Sequence, residues 1–365
     1  MKKIVFIVLA ILALPMYVLA SPEISGEYAC VMEAETGEVL FEYNGDITHS
    51  MASTTKIMTA LVALESSSPD ELVSVSRNAA YQEGSSAYLA QNEKIKMKDL
   101  LYGLMLNSGN DAAVAVAEHI SGNEATFAEK MTDRAKALGA FNTQFKNPSG
   151  LDAEGHYTTA VDLARITAAA LKIPEFREIV STIYKEVDYS GGRLCFSNHN
   201  KLLKSYDGCI GVKTGFTKKT GRCLVSAAER DGITIVCVTL RAPDDWNDHK
   251  KLLDYGFEKV TYTEIVKQGE ALTTVHLLSG GEIPAVSGET VNLPLSSGGK
   301  GKTEIVLHTL PRIENSVAEN EKVGEFDVVY DGCIIKKIDL LAGREYVKEK
   351  SLFESIIDFC KKILF

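Results

Sequence analysis

The sequence has no excess of positive charge and no cysteine pattern that would bind metal. With 39 Lys and Arg against 49 Asp and Glu its formal net charge is −10. Neither nucleic acid nor an anionic membrane surface is therefore its main electrostatic partner. The seven cysteines (Cys30, Cys195, Cys209, Cys223, Cys237, Cys333, Cys360) are odd in number and scattered, with no CxxC pair. That excludes a dense disulfide framework and the usual zinc spacings. Each lies in an apolar or β-like stretch and reads as a buried free thiol. A Cys223–Cys237 bond stays open, because the two fall on successive predicted strands. Cys30 is too far from the N-terminal apolar run to be a lipid-modified first residue.

What is present is an ordinary globular composition, 45% hydrophobic and 24% charged, in 365 residues. That length favours two packed units over one. Lys2 and Lys3 precede an apolar run over 4–20 that ends Val18-Leu19-Ala20 before Ser21. This is the pattern of a cleavable signal peptide over 1–20; the run is short for an uncleaved span. Export follows, to an extracytoplasmic location.

Along the chain, 28–32 and 38–43 read as strands around Thr36-Gly37. Helical spacing governs 56–64, 98–106, 111–119, 124–138 and 160–171. Strands return at 211–216, 222–229 and 233–240, the last two joined at Asp231-Gly232. Helices between two strand groups, the later one antiparallel, predict an α/β catalytic domain with helices packed on an antiparallel sheet, over 21–260. From 261 to 347 the chain is strand-like, with Gly- and Ser-rich turns, no repeat of fixed period and almost no helical periodicity, so a small all-β domain is expected there. In 351–365, Leu352, Ile356, Phe359 and Ile363 share one side and Glu354, Ser355, Asp358, Lys361 and Lys362 take the other. Residues 348–365 thus predict an amphipathic helix at the membrane interface, with docking on the protein's own surface as the alternative.

Three short segments carry chemistry. Ser53-Thr54-Thr55-Lys56 opens a predicted helix, and a spacing of three places the hydroxyl and the amine on one face. A serine hydroxyl attacks only when a base takes its proton, and a desolvated lysine can be that base. Alone, Ser53 could equally be a helix cap. Ser108-Gly109-Asn110 sits in a helix break, where a capping role competes with a proton relay and a substrate-orienting amide. Lys213-Thr214-Gly215 lies on a strand, where glycine admits a substrate backbone and the two side chains offer a cation and a hydroxyl to a carboxylate. An exposed strand lysine is the plainer reading of the last. Order, spacing and element context together match the S-x-x-K, S-x-N, K-T-G set of penicillin-binding proteins and serine β-lactamases.

With the flanking segments 51–59, 107–112, 147–152, 159–164 and 207–217, the chain resembles the low-molecular-mass D-alanyl-D-alanine carboxypeptidases over nearly its full length. The resemblance implies a β-lactamase/transpeptidase-like catalytic fold and acyl-enzyme chemistry on peptides ending D-Ala-D-Ala. It implies Ser53 as nucleophile, Lys56 as base and Ser108 in the proton path. Asn110, Lys213 and Thr214 would bind substrate, and the backbone N–H groups of Ser53 and Phe216 would hold the oxyanion. Ser86 would border the cleft. No metal or organic cofactor is implied. The partners implied are peptidoglycan stem peptides, β-lactam antibiotics as inhibitors and the outer face of the cytoplasmic membrane, in cell-wall and cell-shape biogenesis.

One departure concerns His199, which occupies a place where some relatives carry Arg, so carboxylate recognition here is expected to differ in detail. A β-lactamase would need a deacylating Glu between the second and third segments, and Glu154 lacks the surroundings for it. A D,D-endopeptidase would share every motif. A non-catalytic peptidoglycan-binding protein would show a broken one, and none is broken.

Overall fold

A computed structural model describes residues 21–278, 280–309 and 316–347. The expected leader, the C-terminal helix and Cys360 lie outside them. The chain opens with the hairpin β1 (Tyr28–Glu33) and β2 (Val39–Tyr43), then a 3₁₀ turn at Ala52–Thr55 that runs into α1 (Lys56–Ser66). There follow β3 (Leu72–Ser74), α2 (Arg77–Ala80), β4 (Lys94–Lys96), α3 (Met97–Leu106), α4 (Asn110–Ser121) and α5 (Glu124–Ala137). Next come α6 (Ala160–Leu171), α7 (Pro174–Ser181), the hairpin β5 (Tyr184–Tyr189) and β6 (Gly192–Ser197), and α8 (Leu202–Ser205). Strands β7 (Cys209–Thr217), β8 (Gly221–Arg230) and β9 (Ile233–Leu240) lead into α9 (Asp245–Lys259).

The main sheet is antiparallel in the order β2-β1-β9-β8-β7, so β7 is an edge. Both faces are covered. Val225, Ala227, Val236 and Val238 pack toward α1 and its neighbouring helices, whereas Ala228, Ile235 and Cys237 pack against Leu252 and Leu253 of α9. Helix α1 is the centre of the larger cluster, buried from Lys56 to Ala63. His249 of α9 is locked behind the sheet between Ser226 Oγ (2.5 Å) and Thr239 Oγ1 (2.9 Å).

A second unit follows: β10 (Val260–Val266), β11 (Ala271–His276), β12 (Glu282–Ser287), β13 (Val291–Ser296), β14 (Thr303–Thr309) and β15 (Ser316–Val317). It closes with β16 (Lys322–Tyr330), β17 (Cys333–Ala342) and β18 (Tyr346–Val347). Its five-stranded sheet runs β11-β12-β17-β16-β14 around a core holding Phe326, Val328, Leu293 and Leu340. The expected all-β character holds, with one 3₁₀ turn at Gly299–Lys302.

One expectation on cysteine is corrected, and one open question is answered. Cys195 and Cys333 are exposed: Cys195 faces outward by strand alternation beside buried Phe196, and Cys333 opens β17 at a hairpin turn, where Ile334 is exposed as well. Cys223 and Cys237 remain free thiols. Cys237 pairs across to Ser226, three residues from Cys223, and the two belong to cores on opposite faces of the sheet. Helices α7 and α9 and the β5–β6 hairpin go beyond the elements that the sequence patterns indicate.

The two units are joined at the far edge of the main sheet. The buried carboxylate of Glu38, just before β2, accepts hydrogen bonds from Ser296 N–H (2.9 Å) and from Ser296 Oγ. Breaking charge-assisted bonds of this kind costs about 1.5–3 kcal/mol. Glu38→Ala is accordingly expected to lower stability by about 2 kcal/mol in urea denaturation, and an unchanged midpoint would remove the clasp.

Candidate active site

Ser53 is presented by a constrained turn. Ala52, immediately before it, has φ +47°, a left-handed conformation costly for alanine. The turn is held by its own hydroxyls: Thr54 Oγ1 donates to Met51 O (2.6 Å) and Thr55 Oγ1 to Ala52 O (2.8 Å). Gly150, at φ +87°, passes so close that a Cβ there would lie 2.0 Å from Ala52 O. Ser53 is therefore not a helix cap: its side chain makes no capping bond, and α1 begins after it.

His156 supports the same turn from below. Its Nδ1 accepts the backbone N–H of Lys146 (3.0 Å), so the ring proton sits on Nε2 and donates to Thr55 Oγ1 (2.8 Å). Burial brings its pKa down to about 4. Protonating Nδ1 would set two donors against each other.

Lys56 is fully buried. Its Nζ faces Asn110 Oδ1 (2.8 Å), Ser149 O (2.5 Å) and Ser53 Oγ (3.2 Å). Desolvation drives its pKa well below the usual lysine value; the nearby Lys213 charge adds to this, and Asp111 opposes it. A neutral amine has two N–H bonds and one lone pair. The two carbonyl oxygens can accept the hydrogens, which leaves the lone pair for the Ser53 hydroxyl.

Asn110, the first residue of α4, is itself fixed, because its Nδ2 donates to Glu83 O (2.7 Å). Ser108 is buried at φ +61° in the break before α4. Asp111 gathers the preceding loop by accepting from Ala87 N–H, Leu89 N–H and Ser86 Oγ. Ser86 thus turns its hydroxyl to Asp111 (2.7 Å), and its neighbour Ser85 is the one that lines the cleft.

On edge strand β7, Lys213 is buried, donates to Thr214 O (3.0 Å) and has its pKa brought down to about 7 by desolvation. Gly215 lets this strand approach the serine turn: a Cβ there would lie 3.1 Å from Ser53 N and 3.2 Å from Met51 O. A cleft of about 330 Å³ is lined by Ser53, Ser108, Thr214 and Phe216, among others. The three predicted segments converge on it, with Lys56, Asn110 and Lys213 in the wall behind. Sequence reasoning missed His156 and, in the cleft itself, Arg222, Asp245 and Trp246. The only pointer to the last group was that Trp246 is the single tryptophan of the chain.

Residues 17–244 match the family described as D-alanyl-D-alanine carboxypeptidase, and 261–348 match the C-terminal domain of penicillin-binding protein 5. The chain is 30% identical over 334 residues to D-alanyl-D-alanine carboxypeptidase DacF of Bacillus subtilis, covering 88% of this chain and 85% of that one. It is 36% identical over 266 residues to the D-alanyl-D-alanine carboxypeptidase of Streptomyces sp. K15, covering 67% of this chain and 91% of the other. Among solved structures it is similar to penicillin-binding protein 5 from Haemophilus influenzae, with TM-score 0.68, 25% identity, and coverage of 90% of this chain and 100% of that one. The Streptomyces K15 DD-transpeptidase superposes with TM-score 0.62 at 34% identity over 66% of this chain and 100% of its own.

The His156 support has an acid-stability consequence. As pH falls, the unfolded chain protonates this histidine near pH 6.5, whereas the folded protein does so only near 4. The unfolded state binds more protons across that window, so stability is complete above it and declines through it, by about 3 kcal/mol for this group. Denaturation between pH 7 and 4 should show the decline, and His156→Gln should remove part of it. A variant with the wild-type slope would contradict this account.

Proposed function

Because this chain belongs to the D-alanyl-D-alanine carboxypeptidase family, we propose that its cleft performs that serine-peptidase reaction with Ser53 as nucleophile and Lys56 as base. The observation that carries the assignment is the amine's setting: desolvated, held by two carbonyl oxygens and 3.2 Å from the Ser53 hydroxyl. A lysine kept neutral in this way can take a proton at the moment of attack.

Ser53 Oγ adds to the carbonyl carbon of the penultimate D-alanine as its proton passes to Lys56 Nζ. The oxyanion lies between the backbone N–H groups of Ser53 and Phe216, a site supported by the approach of β7 at Gly215. Ser108 relays a proton to the departing amine, so free D-alanine leaves and an ester remains on Ser53. Water then hydrolyses the ester and restores the serine. A β-lactam carbonyl enters the same path and acylates Ser53, the step that underlies penicillin binding. Asn110 orients Lys56, while Lys213 and Thr214 hold the substrate along the β7 edge.

The unit over 261–347 and the flanking segments serve placement. The leader over 1–20 directs export, and the amphipathic segment 348–365 seats the enzyme on the outer face of the cytoplasmic membrane. Among the described residues no helix is long and apolar enough to cross a membrane.

Three measurements check the reading. Wild type should release D-alanine from a peptide ending D-Ala-D-Ala and take a covalent fluorescent-penicillin label. Ser53→Ala should lose both, and equal labelling would reject the acyl-serine. Lys56→Arg puts a permanent cation with no available lone pair where the neutral amine stood, so acylation should fall about 10²- to 10⁴-fold at every pH; a variant near wild type would exclude Lys56 as base. Removal of 348–365 should shift the protein from the membrane fraction to the soluble one, and retention on membranes would point to another anchor.

A further inference from the structure

A carboxypeptidase differs from an endopeptidase in what it must recognise beyond the scissile bond: a free carboxylate on the departing residue. Resting on the reading above, the cleft must hold a partner for that charge. The buried amines serve it poorly. Desolvation lowers the pKa of both Lys56 and Lys213, the latter to about 7, and His199 at the rim is shifted down as well by burial and by Lys213. A guanidinium, by contrast, stays charged at every accessible pH.

Arg222 is the only arginine among the described residues lining the cleft. It stands at the start of β8, directly across the ladder from Phe216, beyond the Lys213-Thr214-Gly215 stretch as seen from Ser53. Its Nε donates to Asp245 Oδ2 (3.1 Å) and its Nη2 to Asp245 Oδ1 (2.6 Å). The guanidinium carbon lies 5.8 Å from the centre of the Trp246 ring. Asp245 and Trp246 both belong to the first turn of α9. The Asp245 side chain is 3% exposed, whereas that of Arg222 is 42% exposed.

That asymmetry defines a socket. A guanidinium has five N–H donors, and the bidentate bond to Asp245 occupies two. The remaining three lie on a group that is still open to solvent. Carboxylates are matched by this fork geometry, two parallel N–H···O bonds at a time. Asp245, almost wholly buried, is committed to the other side of the fork. It cancels much of the long-range attraction but fixes the orientation of the guanidinium.

We propose that Arg222, clamped by Asp245 and Trp246, receives the terminal carboxylate of the substrate and selects chain ends over internal peptide bonds. Thr214 contributes a hydroxyl next to it, and the exposed ring of Phe216 with the Trp246 face flanks the small side chain of the departing residue. Because the guanidinium is already paired, selectivity is moderate: hydrogen bonds to a charged group correspond to about a 10- to 100-fold preference.

The test compares kcat/KM for diacetyl-L-lysyl-D-alanyl-D-alanine with that for its C-terminal amide. Wild type should favour the acid. In Arg222→Gln the acid-to-amide ratio should fall about 10- to 100-fold, chiefly through KM on the acid. Arg222→Lys, with charge but no fork, should give an intermediate ratio. A general disturbance of the fold would lower both substrates together and leave the ratio where it was; that result, or no acid preference in wild type, overturns the inference. Failure of wild type to release D-alanine from the acid would instead remove the carboxypeptidase reading itself, so the two are told apart.

Discussion

The catalytic half depends on one amine kept out of water. Lys56 is buried to a degree that an ionised lysine could scarcely tolerate, since an uncompensated buried charge costs several kcal/mol. The structure meets this with two carbonyl oxygens, from Asn110 and Ser149, and with depression of the amine's pKa. Burial of the lysine and its approach to the Ser53 hydroxyl are thus a single arrangement. Each acceptor has its own tether: Asn110 is fastened to Glu83 O, and the Ser149 turn to the Asn147 side chain.

The Ser53 turn obeys a second constraint, imposed on the backbone. Ala52 is held in a left-handed conformation by Thr55, which accepts a hydrogen bond from His156 Nε2, and by Gly150 lying against its carbonyl. Residues far apart in sequence thereby over-determine one short turn. Such support is what keeps locally unfavourable backbone in place, and it makes the loop between α5 and α6 part of the site although it contributes no lining side chain to the cleft.

Much of this could be read from the chain. Apolar spacing gave the five main helices, and alternation gave the strands of the large sheet, because long periodic segments report directly on which face is buried. The spacing of Ser53 and Lys56 survives in the structure, but on a 3₁₀ turn leading into a helix, which a pattern with a period near 3.6 cannot distinguish from the helix itself. The harder parts were relations between distant positions. His156 is a polar loop residue in sequence, and its role exists only because it meets Thr55, 101 positions away. Arg222 and Asp245 are unremarkable 23 residues apart until β8 and α9 bring them together. Whether Ser85 or Ser86 faces the cleft is decided by the pull of Asp111 on the loop, which leaves no trace in local composition. Cys195 and Cys333 show the reverse error, apolar surroundings in sequence around positions that point outward.

The Glu38 clasp lies at the β2 end of the main sheet, whereas β7, with the Ser53 turn beside it, forms the other border. A pull passed through the clasp therefore enters the main sheet at the strand farthest from the serine, with three others in between, apart from the covalent link of α9 to β10. In mechanical terms the clasp is a mounting bracket, bolted where vibration does the least harm.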